Sequence, residues 1–182
     1  MNGIVKGVRP LDYVLAGVMT AAGAFLMYGN VTAPAGADLA HAQSSRSWLM
    51  LPAFVLVTLP VLWRRRSILA VIGVTAAATA AHVLAFGWTT RCGVALPLSC
   101  ALAYAVARFA GAWRNHVFGL AGVVVVQILA IVKDASIDRM ANALVLSLPA
   151  AALFYGIGLI VQTRVTSKQP AAVTPVIERA AA

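Results

Sequence analysis

The stretch LPVLWRRRSILAVIGV, residues 59–74, sets Arg64, Arg65 and Arg66 side by side between two apolar runs. Two settings produce such a gap: a basic patch for nucleic acid on a water-soluble fold, or a tight cytoplasmic turn between two membrane helices. Composition separates them. The chain has 182 residues, of which 62% are hydrophobic and 10% charged, and its mean hydropathy is +0.89. Ordinary soluble domains are about half apolar and about a quarter charged. So short a chain has no interior large enough to hide that excess, so lipid is the expected solvent. Nucleic acid is not the expected partner, even with a formal charge of +9.

A membrane helix needs about 20 largely apolar residues. Working outward from the arginines, six apolar segments emerge, at about 11–28, 48–63, 68–87, 93–110, 117–132 and 141–161. The second and fifth are somewhat short for a bilayer and require local adjustment. Gly and Ala run through most segments, as suits helices that approach closely in lipid. The expectation is an all-α polytopic membrane protein with six transmembrane helices. A short N-terminus (1–10) precedes the membrane domain (11–163), which carries one long outer loop at about 29–47, GNVTAPAGADLAHAQSSRS. A polar, Pro- and Ala-rich tail (164–182) follows and is expected to be flexible.

Charge fixes the orientation. With the N-terminus inside, the inner segments hold Lys6, Arg9, Arg64, Arg65, Arg66, Arg108, Arg114, Arg164, Lys168 and Arg179, whereas the outer ones hold Arg46, Arg91, Lys133 and Arg139. Ten basic residues against four places both termini in the cytoplasm. Acidic residues sharpen the contrast, with Asp38, Asp134 and Asp138 outside and Asp12 and Glu178 inside. Trp48, Trp63, Trp88 and Trp113 fall at segment ends, the depth amphipathic indoles prefer. Without a cleavage pattern after the first apolar run, that run is expected to stay as a helix.

The order of features resembles the N-terminal membrane sensor domain of actinobacterial histidine kinases. That likeness rests on Asp12 near the start of the first segment, TLPVLWRRRSILAVIGV across the second and third, His82 in AAHVLAFG, then ALAYAVARFAG and GLIVQTRV. Its most specific part is the Leu-Pro…Arg-Arg-Arg…Leu-Ala-Val cassette, although Ser67 and Ile68 stand where the family carries a small residue and Pro. The resemblance implies a sensor or partner-coupling role, bacterial plasma-membrane location and a protein partner. Kinase activity is not implied, because the 182 residues do not include the phospho-accepting and ATPase regions. A second resemblance is to the substrate-binding subunits of energy-coupling-factor transporters, which dock through small residues spaced by four on the first helix. Gly17 with Ala21, and Ala16 with Thr20 and Ala24, supply such rows. A structural subunit of a larger membrane complex is the third class.

Catalytic patterns are missing from the sequence: it holds no H-E-x-x-H, Walker loop or C-x-x-C, and its carboxylates divide between two compartments. A non-enzymatic protein without cofactor or metal is expected. His41, His82 and Cys92 have no metal-ligand spacing, and Cys92 and Cys100, eight apart on one helix, would be too distant to pair. A candidate ligand or proton-sensing site gathers at the outer rim from His82, Trp88, Arg91, Asp134 and Asp138, because intramembrane ionisable groups mark functional sites. The plainer alternative for His82 is a hydrogen bond to a backbone carbonyl. On the inner face, Arg64, Arg65, Arg66, Arg108 and Arg114 are candidates for contact with a partner or with anionic lipid. Gln127 and Asn142 are expected to bond across helices, and Pro52, Pro60, Pro97 and Pro149 to bend them.

Overall fold

Residues that start or stop helices divide the chain. In the computed structural model, which describes residues 7–32, 47–87, 94–132 and 137–167, helix α1 spans Pro10–Thr32 and α2 Met50–Thr58. A 3-10 segment, Leu59–Trp63, extends α2 to the arginines. Helices α3 (Ile68–Phe86), α4 (Ala95–Phe109), α5 (Trp113–Ile131) and α6 (Ile137–Ser167) follow. Pro10 opens α1, where its missing N–H costs nothing. Ser67 caps α3 by accepting the Ala70 N–H at 3.4 Å. At the far end of α3, Gly87 stops the helix at φ +85, a conformation that needs glycine.

The protein is all-α. Among the described residues α1, α3, α5 and α6 are long and apolar enough to cross a membrane, the make-up of a multi-pass membrane protein. α2 with its 3-10 extension, Met50–Trp63, and α4 are shorter. The observed helices overrun several expected limits. α1 continues to Thr32, into the residues assigned to the outer loop, and α6 begins before Asp138 and runs past Arg164. Proline explains the end of α2: Pro60 offers no N–H to the carbonyl four residues back, and the chain tightens into 3-10 geometry there. Pro52 and Pro97 lie in first turns, where no intrahelical donor is lost. Pro149 alone sits deep within a helix, α6.

Outward faces are apolar: Phe25 is 75% exposed, Leu84 78% and Val145 73%. Buried positions include Asp12, Thr58, Thr75, Thr79, His82, Ser99 and Gln127. Polar groups inside and hydrocarbon outside is the arrangement a bilayer favours, because every polar group facing lipid would lack a partner. α4 is the most enclosed helix, with Leu102, Ala103, Ala105 and Val106 fully buried. It packs most extensively on α6 and also on α5 and α3, while α2 lies between α1 and α3.

α1 and α2 run antiparallel in constant register. Tyr28 meets Trp48, with ring centroids 6.1 Å apart. Gly23 lies under the Phe54 ring, Thr20 Oγ1 and Thr58 Oγ1 are 2.8 Å apart, and Asp12 meets Arg64 and Arg65. From Asp12 to Tyr28 α1 rises about 24 Å. The short second helix and its 3-10 extension therefore cover that depth too.

Candidate functional site

The most elaborate polar structure lies where the 3-10 segment ends. Asp12 is fully buried in the first turn of α1. Its Oδ2 accepts the backbone N–H of Arg9 at 3.0 Å, so the carboxylate closes its own helix start, as in a capping box. Its Oδ1 accepts from Arg64 Nε and Nη2, both at 2.8 Å. Arg65 Nε donates to Oδ2 at 2.7 Å. Four short bonds satisfy the carboxylate, and the positive end of the helix dipole adds to them. The first helix is clamped to the arginine turn. Such charge-assisted bonds are about twice as strong as neutral ones.

A second layer extends from the clamp. The Arg65 guanidinium lies 4.9 Å from the Phe109 ring centroid, and Arg108 lies 5.8 Å from the same ring. Arg108 Nη1 donates to Gln162 Oε1 of α6 at 2.8 Å. Nearby on α5, His116 Nδ1 is 2.9 Å from the Tyr155 hydroxyl of α6. Ends of α1, α4 and α6 are thus gathered around the basic turn. Of the five basic candidates, the structure brings together Arg64, Arg65 and Arg108, with Arg64 buried. Arg66 and Arg114 are exposed. From sequence, Asp12 is an inner acid and a feature of the family resemblance, with no partner assigned to it. The available signal was the single carboxylate at the start of the first helix, at the same predicted depth as three adjacent arginines.

At the opposite end, His82 is 2% exposed, and its Nε2 lies 3.3 Å from the Met50 carbonyl. With the proton on Nε2, the histidine donates there, as in the plainer sequence reading. Its ring meets Phe54 edge-on at 5.9 Å and Phe86 at 4.9 Å, while Nδ1 has no hydrogen-bond partner among the described residues. Trp88, Arg91 and Asp134 of the expected rim site lie outside the described residues, as do His41 and Cys92. Asp138 falls in the first turn of α6, described there as backbone only. Gln127 crosses from α5 to α6, its Nε2 donating to the Ser147 carbonyl at 3.3 Å.

Rows of small residues on α1 divide between its faces. Ala16 is buried and Thr20 bonds to α2, so the row through Ala16 and Thr20 is spent on internal packing. Gly17 and Ala21 face outward. Neither family models, nor curated proteins, nor solved structures match the chain.

Proposed function

We propose that the chain is a six-span protein of the bacterial plasma membrane, with both termini in the cytoplasm. It acts without catalysis, as a sensor-like or regulatory subunit working through a protein partner. One observation carries the topology: Arg64 and Arg65 meet Asp12. If only the four long helices crossed, the turn after α2 would lie on the opposite side from the start of α1. The clamp joins the two on one side, which supports a crossing by α2. The ten-to-four distribution of basic residues then favours the cytoplasm for that side.

The regulatory reading is supported by the way the basic turn is built. Arg64 and Arg65 hold α1 and α2 together, and Arg66 and Arg114 are exposed at the same end. A fixed basic surface tied to three helices suits transmission of a change in helix packing to a docked protein. The test is purification of the full chain from its native membrane in gentle detergent, with and without Arg66→Ala and Arg114→Ala. The wild type should carry one recurring protein partner, and the double variant should lose it while keeping its fold. Recovery of the wild type without any recurring partner would remove this reading. An ATP-hydrolysing transporter as that partner would instead favour the accessory-subunit role, for which the outward Gly17–Ala21 row supplies a contact.

A further inference from the structure

α1 and α6 flank a cleft of about 450 Å³ floored by α4. Leu15 and Met19 of α1, Ala101 and Tyr104 of α4 and Phe154 of α6 line it, and Arg64 stands at one end. Arg108 lies one helical turn beyond Tyr104 on α4, hence on the same face. Its tie to Gln162 bridges α4 and α6. Arg65 and Arg108 both approach Phe109. The slot is therefore apolar along its walls and cationic at its end. Among the described residues, three arginines there face one carboxylate, Asp12, and Gln162 is neutral, which leaves two positive charges.

We propose that this cleft binds one anionic phospholipid, an acyl chain lying along α4 and the phosphate meeting the arginine end. Charge complementarity selects the occupant. A partner helix in the slot would need an acidic residue placed against the surplus charge. An anionic lipid brings its phosphate to the membrane interface already, with the chain directed inward. Guanidinium groups suit the phosphate because they offer several donors in one plane. Arg64, held by Asp12, positions the end of the slot, and Arg65 and Arg108 supply the remaining donors. The inference needs only that α1, α4 and α6 lie in a bilayer. It stands or falls separately from which face is cytoplasmic and from any protein partner.

The test is native mass spectrometry of the full chain released from nanodiscs of phosphatidylcholine containing a minority of phosphatidylglycerol. The wild type is expected to retain one phosphatidylglycerol in preference to phosphatidylcholine. Arg108→Gln should weaken that retention about fivefold, the effect of one basic residue at a membrane surface. Ala101→Phe, which fills the slot, should abolish the preference. Arg114 is exposed in the first turn of α5, away from the α4 face that carries Tyr104 and Arg108, so Arg114→Gln should leave retention unchanged. Should Ala101→Phe fail to fold, the contrast between the Arg108 and Arg114 variants decides alone. Three results would overturn the proposal. These are equal loss of retention in both arginine variants, phosphatidylcholine kept as readily, and a lipid-free dimer whose contact, cross-linked through Ala101→Cys, closes the slot.

Discussion

Asp12→Asn is expected to destabilise the folded chain by about 3 kcal/mol or more, as is usual when one partner of a buried ion pair is removed. Asparagine preserves the shape, but it removes the charge and turns one acceptor oxygen into an amide donor facing an arginine N–H. Arg64, buried, would then keep a cation without its counter-ion, and Arg65 would lose its partner as well. Asp12→Ala should cost at least as much, because the Arg9 N–H also loses its acceptor. Reversible unfolding in mixed micelles, followed by circular dichroism, measures these costs. A double-mutant cycle of Asp12→Ala with Arg64→Ala should give a coupling of about 2 kcal/mol. An additive pair would mean that the clamp has no energetic role.

The second large effect is steric. A Cβ built at Gly158 would lie 2.6 Å from the Ala107 Cβ and 2.9 Å from the Tyr104 carbonyl oxygen. Both obstacles are fixed: one is a methyl on the central helix and the other is backbone. α4 and α6 can approach this closely only because the residue is glycine, the packing device of helices in lipid. Gly158→Leu should therefore force the two helices apart and cost about 3 kcal/mol, the upper end for an overpacked core. Gly156, two residues earlier on the same helix, has open space around it. Gly156→Leu should fall within about 0.5 kcal/mol of wild type in the same unfolding assay. Equal costs at the two positions would show that the close helix crossing does not set the result.

Much of this architecture was legible because membrane helices are written in hydropathy and charge, both local properties. The six apolar segments coincide with six helices, and the arginine turn falls at the junction of the second and third. Boundaries were less legible. α6 continues through Arg164 to Ser167, since a helix leaving lipid keeps its hydrogen bonds after its hydropathy falls. The 3-10 ending of α2 was visible only as Pro60.

Lateral neighbours were the least legible feature. Asp12 and Arg64 are 52 residues apart, and sequence gives the depth of each but not the side on which it faces. For the same reason the arginines read as a surface open to lipid or partner, whereas two of them are bound to α1. His82 shows the opposite case. Its sequence position offered a ligand site and a carbonyl bond as alternatives, and the Met50 carbonyl stands 3.3 Å away. Phe109 drew no attention in ALAYAVARFAG, because stacking by Arg65 from the distant α2–α3 turn leaves no local pattern.

The central claim is that the arginine turn and the start of α1 share the cytoplasmic face, which makes α2 a true span. Thiol accessibility at Ser67, exposed at the start of α3, tests it most directly. In a background of Cys92→Ser and Cys100→Ser, Ser67→Cys on intact cells should resist an impermeant maleimide and react once the membrane is opened. Ala37→Cys, in the loop proposed to lie outside, should react on intact cells and report that the reagent works. Labelling of Ser67→Cys from outside, with Ala37→Cys labelled as well, would contradict the account: α2 would not cross, and Arg64 could not reach Asp12.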